Sequence, residues 1–187
     1  MGLLNSSHMT YYGGPELAAA FRTVRKNTMT IAEEIPEGSY NFRPAEGTRT
    51  VAELLAHIAL GARFHQAISL TGRKNLDGFN YFEFMSGLMA EASQPRNKAE
   101  LLDFLKTEGE KFATQLDGLS QEFLGEVVTF PPGGNPPSRS RFDMLMSVKE
   151  HEMHHRGQLM TIQRMLGLVP HLTREAEARR AAMLARK

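Results

Sequence analysis

Cysteine is missing altogether from the 187 residues. Its absence removes disulfides, zinc ribbons and thiol nucleophiles in one step, so any metal site must use His, Asp, Glu or backbone oxygen. An excess of charge of one sign is missing too: 22 Lys and Arg against 21 Asp and Glu leave a formal net charge of +1. That balance argues against a broad nucleic-acid-binding face or a polybasic membrane patch. No apolar run approaches the ~20 residues of a membrane span, and no charged n-region with an apolar h-region opens the chain. These absences predict a cytoplasmic protein with no nucleic-acid and no membrane partner.

What is present is ordinary globular material. An apolar fraction of 41% is enough to bury a core, and 23% charged residues suit a soluble domain. The length fits one domain. The opening MGLLNSSHM (residues 1–9), with its second Met at Met9, reads as a vector-derived leader and is set aside together with His8.

Punctuation divides the remainder. Gly13, Gly14 and Pro15 precede a stretch from about Glu16 to Glu34 with Leu17, Phe21, Val24 and Ile31 near helical spacing, closed by Pro36 and Gly38. Thr50 with Glu53 three residues later has the capping-box spacing and predicts a second helix running to about Leu70. Asn97 with Glu100 repeats the signature for a third helix, Lys98 to Leu116. Ser140, with Asp143 in the first turn, opens a fourth that continues to Leu166. A short charged helix is predicted from Thr173 to the end.

Two connections are long. Residues 72–96 carry Phe79, Tyr81, Phe82, Phe84 and Met85 and predict a short helix lying over a bundle end. Residues 117–139 include Val127, Val128 and Thr129, a lone strand-like run that cannot make a sheet by itself, followed by a Pro/Gly loop at 131–137. The predicted fold is therefore all-α: a four-helix bundle with long crossover connections over residues 10–172, and a helical tail at 173–187.

The histidines carry the chemistry. On the fourth helix Met144, Val148, His151, His155, Leu159, Ile162 and Leu166 form one stripe, apolar except for its two imidazoles. Those two point into the bundle one turn apart, a spacing at which both can chelate one divalent ion. His154 lies off the stripe and belongs at a rim. The second helix offers Leu54, His57, Gly61, Phe64 and Ile68, again apolar except for one histidine, which makes His57 the candidate third ligand and His65 a weaker one. Three interior imidazoles without an ion would be costly to satisfy.

Other readings of these residues are weaker. His151-Glu-x-x-His155 matches the metalloprotease string, with Glu152 as general base and Glu175 or Glu177 as a downstream ligand, but nothing predicts a sheet to align a peptide. A di-iron carboxylate site needs two Glu-x-x-His copies, and Glu152 with His155 makes one.

Three features then resemble the DinB family of DinB/YfiT-like metalloenzymes: "YNFRPAEGTRTVAELLAHIA" at 40–59, "HEMHHRGQLMTIQRMLGLVP" at 151–170, and the helix order between them. The resemblance covers about residues 15–172. It implies an up-down-down-up bundle, often a homodimer, with His57, His151 and His155 as metal ligands, the trio the two stripes reach separately. It also implies thiol-dependent transferases and isomerases, using bacillithiol, mycothiol or related thiols, among the relatives. An open position beside three imidazoles would mark a catalytic site rather than a structural one.

The expected function is a metal-dependent enzyme acting on a small molecule, of thiol S-transferase or hydrolase type. Zinc or nickel is favoured, iron or manganese the alternative, with a low-molecular-weight thiol as a further co-substrate. Glu152 is the candidate catalytic base or a salt-bridged helix residue; Arg156 and Gln158 read as packing. The competing class is a non-catalytic metal-binding or stress-response bundle. The surplus of apolar groups at 79–89 and the family resemblance both predict a homodimer. Sedimentation at micromolar concentration then gives twice 20.9 kDa; a single species of 20.9 kDa removes the dimer.

Overall fold

The computed structural model describes residues 12–186; the leader 1–9 and the terminal Lys187 lie outside the described residues. Helix α1 (Gly14–Glu34) is followed by a 3-10 turn (Glu37–Ser39), α2 (Val51–Leu60), α3 (Arg63–Ala67) and α4 (Tyr81–Ala92). Then come α5 (Lys98–Asp117), α6 (Gln121–Gly125), β1 (Val127–Thr129), β2 (Ser138–Ser140), α7 (Arg141–Met165) and α8 (His171–Leu184). Four long elements, α1, α2 with α3, α5 and α7, make the bundle: α1 lies on α5 and α7, and α2 lies on the same two helices. The all-α four-helix class expected from periodicity is the observed one.

The starts of the helices follow their caps. Thr50 Oγ1 accepts from the Glu53 amide at 3.1 Å while the Thr50 amide donates to Glu53 Oε2 at 2.7 Å. Asn97 and Glu100 repeat the exchange at α5, and Ser140 Oγ accepts from the Asp143 amide at α7. Each cap fixes where its helix begins, and so fixes the phase of the residues after it.

Two expectations are corrected. The second helix does not run unbroken to Leu70: α2 ends at Leu60, and the Gly61 amide bonds back to Ile58 O, a tightened turn, before α3 resumes at Arg63. The strand-like run at 127–129 also has a partner. It pairs antiparallel with Ser138–Ser140, in the register Val127↔Ser140 to Thr129↔Ser138. Ser-Arg-Ser has no strand signature of its own. It is held there because the Pro/Gly loop folds back, with the Phe130 amide on Pro137 O, and because Val128 is buried with Ile68 and Met144. Among the described residues no helix is long and apolar enough to cross a membrane.

One ionic contact sits where the four long elements meet. Arg25 of α1, 5% exposed, and Glu152 of α7, 2% exposed, form a bidentate pair with Nε–Oε1 and Nη2–Oε2 distances of 2.9 Å. The same guanidinium donates to Leu105 O of α5 and to Ile58 O of α2, the latter at 3.4 Å. Gly109 makes the room, since a Cβ there would lie 2.7 Å from Arg25 Nη1. A mid-helix glycine costs about 1 kcal/mol against alanine, and here the space it leaves admits the guanidinium.

Removing one partner of such a pair strands the other charge without water. Glu152→Ala is therefore expected to lower unfolding stability by about 3–5 kcal/mol. The apolar double replacement Arg25→Met/Glu152→Leu should recover most of that loss. Urea unfolding measures both, and an unchanged midpoint for Glu152→Ala would refute the bracing role.

Candidate metal centre

His151 and His155 stand one turn apart on α7 and His57 stands on α2. The three rings converge: His57 Nε2 lies 3.0 Å from His151 Nε2 and 3.1 Å from His155 Nε2, and the latter two are 3.1 Å apart. His155 is buried, and the other two are half-buried. Their close approach needs Gly61. A Cβ there would sit 3.0 Å from His151 Nδ1, so a side chain at this position would press on the ring.

Hydrogen bonding decides how one ring presents itself. Gln158 Oε1 lies 2.8 Å from His155 Nδ1. An amide oxygen only accepts, so Nδ1 carries the proton and Nε2 turns its lone pair to the shared point. Gln158 is itself oriented by its Nε2, which donates to His154 Nε2 at 3.1 Å. Gln158 thus holds a site histidine from behind, a role the sequence reading assigned to packing. Its spacing, three residues after His155 and four after His154 on one helix, is the signal that identifies it.

Burial keeps these rings neutral. Desolvation first, then the Arg49 charge and the two other imidazoles, pushes His57 down to about 3. Desolvation with His155, His154 and Arg49 brings His151 down to about 4. His155 is lowered by desolvation as well, with the Gln158 hydrogen bond opposing. Neutral imidazole is the form that ligates.

The donor set fits a divalent cation. Two Nε2 atoms bound to one tetrahedral ion at about 2.0–2.1 Å stand about 3.3 Å apart, close to the separations here. Without a cation the triangle offers poor alternatives. The His155 lone pair faces two more nitrogens, and three-centre geometry lets few N–H···N bonds approach linearity. Within the described residues, His57, His151 and His155 are the group of three or more His, Asp or Glu with ligand atoms converging closely enough to hold an ion.

His57 and His151 border a cleft of about 640 Å³. Its wall is apolar on the α4 side, with Phe64, Tyr81, Met85, Leu88 and Met89, and the 43–49 loop closes the other side. The segment at 79–89 therefore supplies the cavity. Phe64 meets Tyr81 edge-on at 5.6 Å, and Phe82 stays 81% exposed. A second cavity of about 390 Å³ lies across the same loop, lined by Leu54, Gln158, Ile162 and Met165.

The other sequence candidates fall elsewhere. His65 is in the cleft wall but outside the triad. Its Nε2 lies 3.3 Å from Ser147 Oγ, whose own proton goes to Met144 O, so the ring nitrogen donates. Ser69 Oγ sits 3.1 Å from its Nδ1. His154 is exposed; a further histidine, His171 at the start of α8, is buried beside Asn27, away from the cleft. Glu152, the candidate base, is corrected: both its oxygens are committed to Arg25, and it lines neither cavity. The His-Glu-x-x-His metalloprotease reading loses its base by the same contact. Arg49, inside the 40–59 segment but given no role from the sequence, lines both cavities.

Comparison with known proteins bears on the family and the fold. The family model described as the DinB superfamily matches residues 20–159. The uncharacterised protein YjoA of Bacillus subtilis is 27% identical over 154 residues, covering 81% of this chain and 90% of that protein. The crystal structure of that DinB-like protein superposes with a TM-score of 0.61 at 24% identity, over 81% of this chain and 92% of the other. YfiT of Bacillus subtilis, described as a probable metal-dependent hydrolase with an unusual four-helix bundle topology, superposes with a TM-score of 0.65 at 14% identity. It matches 87% of this chain and 92% of its own. These superpositions speak for the fold.

The lowered histidines set a pH signature. An unfolded chain protonates each imidazole near 6.5, whereas the fold refuses the proton until about 4 at His151 and about 3 at His57. Below 6.5 the unfolded state therefore binds more protons, and acidification favours unfolding. The ion-free protein should hold constant stability above pH 7 and lose it progressively from about 6.5 toward 4. Between 6.5 and 5 the carboxylates contribute little. His65, brought down to about 4 by burial, adds a share of its own, so the triple change of His57, His151 and His155 to Gln should remove most, but not all, of that slope. Thermal melts across this range measure it; an unchanged slope would contradict the neutral triad.

Proposed function

Because this chain belongs to the DinB superfamily and brings three neutral imidazoles to one point beside a cleft, we propose that it is a metal-dependent enzyme acting on a small molecule. The observation that carries this reading is the Nε2 triangle with sides of 3.0–3.1 Å. His57, His151 and His155 would hold the ion, through a set that leaves coordination open toward the cleft, as catalytic sites do and structural sites do not. When bound, a divalent ion there supplies Lewis-acid activation of a water or of a substrate thiol at neutral pH.

The chain's own residues do the rest. Gln158 fixes the His155 tautomer, and such outer partners commonly set ligand orientation and basicity. Gly61 lets the His151 ring sit close under α2. Phe64, Met85 and Met89 exclude water from one side and pack an apolar portion of the ligand. Imidazole donors favour zinc or nickel, with iron or manganese also compatible.

Hydrolysis is the favoured reaction, supported by the description of YfiT as a probable metal-dependent hydrolase. Thiol transfer is the second reading. With no cysteine in the chain, the thiol in that reading would arrive as a co-substrate. The cleft against the ligands is the feature that supports catalysis over a purely metal-binding bundle.

Metal analysis of protein purified without a nickel column tests the site. About one divalent ion per chain is expected. His57→Ala, His151→Ala and His155→Ala should each lose most of it, while His154→Ala and His65→Ala should keep it. Full metal content in the His57→Ala/His151→Ala double variant would sink the assignment.

A further inference from the structure

The cleft beside the histidines is bordered by an exposed arginine with no counter-charge among the described residues. Two arginines line it. Arg43 is held by Glu53, with Nη2 at 3.1 Å from Oε2. The described residues offer the Arg49 guanidinium neither an ion pair nor a hydrogen bond, although it lines both cavities that meet at the 44–49 loop. No lysine lines either cavity, and the one carboxylate that does, Glu53, is the one committed to Arg43. Arg49 shares this cleft with two of the three imidazoles, His57 and His151. A divalent ion among those imidazoles would make the cleft more positive still.

We propose that Arg49 is the anion-binding residue of this cleft, and that the ligand it selects is a small organic acid with an apolar body. This rests on the metal-dependent reading above and names its substrate class. The carboxylate pairs with the Arg49 guanidinium at the loop. The apolar body lies against Phe64, Met85 and Met89, and the reacting group faces His57, His151 and His155. A single guanidinium fork matches the two oxygens of a carboxylate through parallel N–H···O bonds. A phosphate dianion would call for further cations or a cradle of amides, and the second arginine of this cleft already pairs with Glu53. The volume of about 640 Å³ suits a ligand of this size.

The test uses the full chain loaded with one zinc ion, with two probes that differ in a single group. These are 2-benzyl-3-sulfanylpropanoate, which has a thiol for the ion and a benzyl group for the apolar wall, and its neutral carboxamide. Calorimetry reads both affinities, and metal content is measured on the same samples. The parent protein is expected to prefer the acid by about tenfold or more, the usual worth of a charge-assisted pair. Arg49→Gln should abolish that preference while leaving carboxamide affinity and zinc content unchanged, and Arg49→Lys should retain part of it. A preference that persists in zinc-loaded Arg49→Gln, or is missing from the zinc-loaded parent, overturns the role of Arg49 and leaves the metal site standing. Failure of the parent to hold zinc at all overturns both.

Discussion

Three imidazole nitrogens brought within about 3 Å of one another, one ring buried and two half-buried, form an arrangement that needs a reason. Protonation would relieve lone-pair repulsion, but burial and the nearby Arg49 charge hold these groups neutral far below the ordinary histidine range. Hydrogen bonds among the rings cannot satisfy all three at once, because the Gln158 oxygen already claims the His155 Nδ1 proton. A divalent cation meets the constraint that proton and hydrogen bond do not. The cleft, the apolar wall and the cationic loop take their meaning from that convergence.

Holding the rings there is a task for the whole bundle. Glu152 occupies a different side of α7 from His151 and His155, so the angle of this helix decides which face meets α2. Fixing Glu152 on Arg25 fixes that angle, and the other Arg25 bonds carry the restraint to α5 and α2. A second pair, Arg63 with the buried Glu108, ties α3 to α5 just past the Gly61 turn. The acidic residue inside the His-Glu-x-x-His string thus stabilises the frame that aims its two neighbours, which is a different task from acid–base chemistry.

Much of the fold was legible because its signals are local. Caps at Thr50, Asn97 and Ser140 follow from adjacent residues, and the α7 stripe follows from helical period alone, which carries His151 and His155 to the interior. His57 stood out as the polar member of an otherwise apolar stripe. The features that periodicity hid depend on residues far apart in the chain. Arg25 and Glu152 are 127 positions apart, and nothing near either one announces the other. Ser138–Ser140 becomes a strand through loop closure and the burial of Val128, with no strand pattern of its own. Arg49 lies within the 40–59 segment but no chemistry is read from it there, and its interest comes from which charges around it are already paired.

The account turns on whether an ion sits among His57, His151 and His155. Anomalous diffraction from crystals of protein purified without a nickel column, collected on either side of the candidate metal absorption edges, addresses this directly. The account predicts one strong peak bonded to the three Nε2 atoms, with the His155 Nδ1 still on Gln158. No peak at that point, or a peak held by other side chains with the imidazoles turned apart, would contradict it.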